Sequence, residues 1–251
     1  MWNRLAAAAL MLTFAIPAMA AEKPYRVSLV GDGFDGTSWH TGVLIELAPG
    51  WKTYWRMPGD SGIPPEFTWS PSQPARVEVQ FPTPSRHVDK GGETIGYQGQ
   101  VLLPVTVTPD APAALELNLD LFFAVCKDVC VPAQAQASIA LGTEPRDPLG
   151  SVRAEAARAS VPTPGDAISG AQLIVEDGKP VLQLTLRQRP EDIFVESATS
   201  AYFGAPTFAD DGHGARLAIA SLDDAAKLAG KSLVVTYILG GKGHAQTLTL
   251  P

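Results

Sequence analysis

Cysteine is scarce in this chain: two among 251 residues, Cys126 and Cys130. With no histidine pair beside them, they fall short of the four ligands of a tetrahedral zinc site. The four histidines are scattered, and His40, His87 and His244 read as surface or loop residues. Basic clusters are missing too, which removes a nucleic-acid partner. Beyond Ala21 no run approaches the roughly 18 apolar residues of a membrane helix. The most apolar later segment, Leu233 to Leu239, is strand-sized, so no membrane span of its own is expected in the mature chain. The second half also lacks cysteine and any cluster of histidines or carboxylates, which leaves it a scaffolding or docking role.

What stands at the start is an export signal. Met1-Trp2-Asn3-Arg4 leads into an apolar run from Leu5 to Ile16 and then Ala18-Met19-Ala20. A charged start, a short apolar core and an A-x-A end describe a secretory signal peptide. Cleavage after Ala20 is expected, with no cysteine there to carry a lipid anchor. Loss of Arg4 moves the formal net charge from −7 to about −8. Outside the cytoplasm disulfides persist, so two closely spaced cysteines form a plausible redox pair.

That pair sits in Val125-Cys126-Lys127-Asp128-Val129-Cys130-Val131-Pro132. If Leu117 to Val125 is one strand and Val131 opens the next, the cysteines occupy the two feet of a tight turn. Opposed hairpin positions bring Cβ atoms to about 4.5–5.5 Å, near the roughly 3.5–4.5 Å a disulfide needs. As a staple such a bond is weak: a loop of about five residues gains roughly 2 kcal/mol, against about 4.7 for one of about 100. Structural disulfides of two-sheet domains instead join strands of opposite sheets. Magnitude therefore favours a chemical role over a hairpin clip.

Strand signals fill the rest. Tyr25 to Val30, Gly42 to Leu47, Phe67 to Trp69, Arg76 to Phe81, Gln100 to Thr108 and Leu115 to Val125 carry apolar alternation. Gly31-Asp32-Gly33 and Pro49-Gly50 read as turns between them. Gly50 to Arg56 is rich in rings, and Tyr54 and Trp55 either fill a core or wall the cysteine site. Arg86 to Gly96, with Gly91-Gly92, reads as a mobile loop. Pro58-Gly59-Asp60-Ser61-Gly62 contains the G-D-S-G string of trypsin-like proteases, but a nucleophilic serine needs a histidine and a carboxylate upstream. Only His40 precedes it, so a turn is the better reading.

Texture changes after Leu141. Asp147-Pro148 offers a helix start, Leu149 to Ala159 reads as a helix, and Val161 to Gly165 stops it. Strand signals resume at Leu173 to Val175, Val181 to Leu186, Ile193 to Val195, Arg216 to Ile219, Leu233 to Leu239 and Gln246 to Leu250. Glu176-Asp177-Gly178-Lys179 and Gly240-Gly241-Lys242-Gly243 are hairpin turns. The expected organisation is a signal peptide (1–20), a cysteine-bearing β domain (21–142), a short helical linker (143–165) and a second β domain (166–251). The fold class is all-β.

Cys126 to Ala133 resembles the active-site hairpin of the amino-terminal periplasmic domain of DsbD, and more closely that of ScsB-type relatives. Gly50 to Arg56 and Gly96 to Pro104 support the resemblance in the same order. Covering most of residues 25 to 142, it implies an immunoglobulin-like β-sandwich that exchanges disulfides between a membrane thiol reductant conductor and thioredoxin-like periplasmic proteins; the strand-rich second half is expected to form a second such sandwich, and no cofactor is expected. It further implies that Cys130 forms the mixed disulfide and Cys126 resolves it. A cap loop corresponds in position to Val88 to Gly96, making Val88, Glu93, Ile95 and Tyr97 pocket or cap candidates beside Tyr54 and Trp55. DsbD differs in spacing its cysteines more widely and in continuing into membrane helices. Two other readings stay open. Cys126-Lys127-Asp128-Val129-Cys130 also resembles the C-x-D-V-C of Sco-type copper chaperones, with His213 as a third Cu(I) ligand. Alternatively the chain is a non-catalytic β-sandwich binding module with a permanent disulfide.

Overall fold

Alternating side chains build two sandwiches, one after the other along the chain. The computed structural model describes residues 23–59, 62–89, 92–111, 113–142, 148–199, 201–220 and 222–251. The expected signal peptide, Asp60 and Ser61 of the G-D-S-G string and Asp147 of the helix start lie outside the described residues.

The first sandwich uses ten strands: β1 (Tyr25–Phe34), β2 (Trp39–Leu47), β3 (Lys52–Tyr54), β4 (Glu66–Pro71) and β5 (Ala75–Val79), then β6 (Ser85–Asp89), β7 (Gly92–Gln98), β8 (Gln100–Pro109), β9 (Leu115–Cys126) and β10 (Cys130–Leu141). One sheet has the order β1-β2-β8-β5 and the other β10-β9-β3-β7-β6, with β4 also paired to β9. Strand β9 shows why the sheets face each other. Leu115, Leu117, Leu119, Leu121, Phe123 and Val125 all point into one core, because side chains two apart share a face. Val43, Ile45, Leu103 and Val105 meet them from the opposite sheet. The other face of β9 begins polar, with Glu116, Asn118 and Asp120, and ends at Phe122, Ala124 and Cys126. The cysteine pair therefore belongs to the outer face of the sheet.

Helix α1 (Pro148–Ala159) follows and is more than a tether. Its Ala154 and Ala157 pack on Leu44, Leu102 and Val30, burying the outer side of the β1-β2-β8 sheet. The chain then adds β11 (Thr163–Pro164), β12 (Ile168–Glu176), β13 (Lys179–Leu186), β14 (Asp192–Ser197), β15 (Thr207–Phe208) and β16 (Gly214–Ala218). Helix α2 (Leu222–Leu228), β17 (Ser232–Leu239) and β18 (Lys242–Thr249) complete it. Sheets β11-β18-β17-β14 and β12-β13-β16-β15 enclose a separate core around Leu182, Leu184, Leu217, Leu233, Val235 and Tyr237.

The hairpin turns follow their residues. Asp177 and Gly178 both take positive φ (50° and 74°), as do Gly240 and Gly241 (57° and 73°), the backbone of a two-residue turn matched to strand twist. Three segments depart from the sequence expectation. Gly31-Asp32-Gly33 lies inside β1, where the pairing with β2 shifts by one residue in a bulge. Arg86 to Gly96 is not a loop but most of the β6–β7 hairpin, in which Arg86 pairs with Ile95 and Val88 with Glu93. Helix α2 was not anticipated, its seven residues being too few to set up a helical repeat.

Candidate functional site

Register places the sulfurs. In the β9–β10 hairpin Cys130 pairs with Cys126, and the two form a disulfide with Cα atoms 4.1 Å apart. Lys127, Asp128 and Val129 make the turn between them, and Val129 is 70% exposed. The two halves of the bond differ sharply in access: Cys126 is 2% exposed, while Cys130 is exposed. What covers Cys126 is a small apolar cluster of Tyr54, Ala124 and Ile63 on the outer face of the sheet.

Strand β3 brings Tyr54 there. It pairs with β9 through Lys52 opposite Cys126 and Thr53 opposite Val125. Directly opposed residues share a face, so Lys52, Tyr54 and the sulfurs lie on one side and Thr53 on the other. Thr53 fixes the strand further by donating its hydroxyl to the Ala124 carbonyl at 2.9 Å. The Tyr54 oxygen then lies 3.0 Å from Cys126 Sγ and 3.1 Å from Cys130 Sγ. Disulfide sulfurs carry no proton, so the tyrosine hydroxyl is the donor in this state. Lys52 is itself buried, at 5% exposure, and sets an aliphatic stem and an ammonium on the sulfurs' face. On the rim, the side chain of Lys127 lies against Gly50, where an added Cβ would come 3.3 Å from Lys127 Cε.

Of the candidates named from sequence, Tyr54 alone has a recorded contact with the sulfurs among the described residues. Trp55, next to it, is fully buried in the first core and stands edge-on to Phe194 of β14, ring centroids 5.9 Å apart. Ile95 is also fully buried, its carbonyl accepting from Trp55 N–H at 2.9 Å. Tyr97 is buried and donates to the Pro82 carbonyl at 2.7 Å; burial pushes its phenol well above the usual range, so it stays neutral. Glu93 binds the guanidinium of Arg86 and accepts from the Tyr202 hydroxyl at 2.7 Å. Val88 stands 76% exposed on β6.

His213 lies just before β16 in the second sandwich, its Nδ1 3.4 Å from the Leu186 carbonyl oxygen. Among the described residues no three His, Cys, Asp or Glu side chains gather as a metal-binding group. Sequence reasoning missed Ile63 and Lys52. The signal for Lys52 was its place two residues before Tyr54, a period that puts both on one face of a strand. Ile63 carried no such signal, because it reaches the site through a loop.

An exposed sulfur bonded to a buried one, at the end of a hairpin on a β-sandwich, defines a disulfide-bearing domain of this fold. Residues 19–141 match the family described as thiol:disulfide interchange protein DsbD, N-terminal. The N-terminal periplasmic domain of ScsB from Proteus mirabilis is similar in structure, with a TM-score of 0.73 and 23% sequence identity. The match covers 93% of this chain and 96% of that one, so both sandwiches take part in the likeness. No curated protein matches the chain. The amino-terminal half thus matches the DsbD N-terminal family, and the likeness to ScsB is one of fold. No described helix is long and apolar enough to cross a membrane.

Proposed function

We infer that this protein is a periplasmic thiol–disulfide exchange protein, relaying electrons from a membrane thiol reductant conductor to thioredoxin-like partners through Cys126 and Cys130. The observation that carries this reading is the unequal exposure of the two bonded sulfurs beside one hydroxyl donor. An incoming thiolate attacks the exposed Cys130 Sγ, the intramolecular S–S bond breaks, and Cys126 leaves as a thiolate. The Tyr54 hydroxyl, already 3.0 Å from that sulfur, donates to the new charge. The partner's second thiolate then displaces Cys130 from the mixed disulfide, so two electrons enter this protein and the partner is left oxidised. Delivery runs the same steps backwards: the Cys130 thiolate attacks a downstream disulfide and Cys126 resolves the product.

Within this reading residues 1–20 are removed on export, 21–142 carry the chemistry, 143–165 connect, and 166–251 form the second domain. The β6–β7 hairpin is the element corresponding to the family's cap, and its shortening should raise the reactivity of the reduced pair toward small oxidants. The decisive experiment uses Cys126→Ala in a periplasmic extract. Covalent capture of a thioredoxin-like protein through Cys130 supports the relay, and absence of any mixed disulfide rejects it. A reduction potential below about −300 mV would equally mark a permanent structural bond.

A further inference from the structure

The second sandwich turns the outer face of one strand toward the residues that follow Tyr54. In β14, Ile193 and Val195 point into the second core. Asp192, Phe194 and Glu196 alternate with them and so project from the opposite face. Each meets the first sandwich. Glu196 holds Arg56 in a two-pronged ion pair, with both N···O distances 2.7 Å. Phe194, 1% exposed, stands edge-on to Trp55 and joins the first core rather than its own. Asp192 accepts from Arg86, whose Nη2 also reaches the Ile193 carbonyl at 2.9 Å and whose guanidinium lies 5.0 Å from the Phe194 ring.

Three consecutive residues of the first sandwich thus divide their duties: Tyr54 reaches the sulfurs, Trp55 meets Phe194, and Arg56 meets Glu196. A two-pronged guanidinium–carboxylate pair fixes orientation as well as distance. Arg56 also lies over the Trp55 ring, 4.5 Å from its centroid, which locks the two residues together. β3 itself spans only Lys52–Tyr54, and its last pair in the ladder is Tyr54 with Gly96. Beyond that pair a backbone bond continues, from the Trp55 amide to the Ile95 carbonyl at 2.9 Å, and the side-chain contacts to β14 join it in holding Trp55 and Arg56.

We propose that β14 is a positioning element for the disulfide site: Phe194 and Glu196 hold Trp55 and Arg56, and through them the Tyr54 hydroxyl, against Cys126 and Cys130. The second sandwich thereby sets the reactivity of a site carried by the first. This rests on the exchange chemistry assigned above only in that Tyr54 serves the sulfurs, and it does not depend on which protein visits them.

The test is a double-mutant cycle on the full chain, read with small molecules. The rate of disulfide reduction by dithiothreitol, and the pH dependence of iodoacetamide alkylation of the reduced pair, are measured in four proteins. They are wild type, Tyr54→Phe, the pair Phe194→Leu with Glu196→Gln, and all three changes combined. If β14 acts through Tyr54, the β14 changes slow reduction about threefold to tenfold and raise the thiol titration when Tyr54 is present, and add nothing once it is Phe. Equal effects in both backgrounds, or none in either, overturn the proposal. Glu196→Gln alone, which keeps the side-chain shape, gives the same two-way reading should the larger change unfold the protein. A failed partner-trapping experiment alongside a non-additive cycle would reject the relay and leave this coupling standing.

Discussion

Cys126 and Cys130 face each other in register across one hairpin, yet one is 2% exposed and the other open to solvent. The asymmetry follows from what surrounds each foot of the turn. Cys126 ends a strand covered by Tyr54 and Ile63, whereas Cys130 begins one whose first three residues are all exposed. Single-cysteine variants should therefore behave differently. Cys126→Ser, which leaves Cys130, should alkylate at least about tenfold faster than Cys130→Ser, since reactivity follows access and thiolate character. Timed alkylation read by mass spectrometry checks this, and equal rates would remove the assignment of Cys130 as the attacked sulfur.

Tyr54→Phe deletes the hydroxyl and keeps the ring that packs on Ala124 and Cys126. Folding should survive. The hydrogen bond to a departing thiolate should not, and a charge-assisted bond of this kind is worth enough to slow reduction about tenfold. Stopped-flow reduction by dithiothreitol, beside an unchanged thermal transition, is the expected result.

Gly96→Ala should be among the costliest single changes in the first sandwich. A Cβ at Gly96 would sit 1.9 Å from the Thr53 carbonyl oxygen and 2.9 Å from Tyr54 Cα, both backbone atoms that cannot turn aside. Separation of β3 from β7 is the only relief, and it would carry Tyr54 away from the sulfurs. A loss of about 3 kcal/mol in denaturant unfolding is expected, together with slower reduction in whatever fraction remains folded.

Strong acid should loosen the β1–β2 turn. Asp35 accepts the Ser38 and Thr37 amides, each at 2.8 Å, and lies against His40. Those amides, Ser38 foremost, hold its carboxyl down at about 2. An unfolded aspartate titrates near about 3.9, so the turn's contribution is complete above that pH and disappears as pH falls through about 2. Carboxyl chemical shifts of Asp35 should show the low midpoint, and Asp35→Asn should abolish the accompanying movement of the Thr37 and Ser38 amide signals.

Much of this was legible in the residues. Alternation in Leu115 to Val125 gave β9, Asp-Gly and Gly-Gly gave the hairpins, and the closeness of Cys126 to Cys130 gave the bond itself. What could not be read was whatever depends on the opposite partner. Arg86 to Gly96 reads as a polar loop because two of its charged side chains, Arg86 and Glu93, meet Asp192 and Tyr202 of the second sandwich rather than water. Glu93 and Arg86 looked like loop charges for the same reason. Trp55 and Tyr54 are adjacent in sequence and serve opposite faces, and only the pairing of β3 with β9 decides which ring goes to the sulfurs.

The segment joining the sandwiches leaves little slack. Helix α1 is glued to the first by alanines, and β11 is zipped in parallel to β18 of the second, with Thr163 opposite His244. Between them Ser160 is tied back by its carbonyl, which accepts both the amide and the hydroxyl of Thr83. The two sandwiches consequently move as one composite body, not two beads on a string.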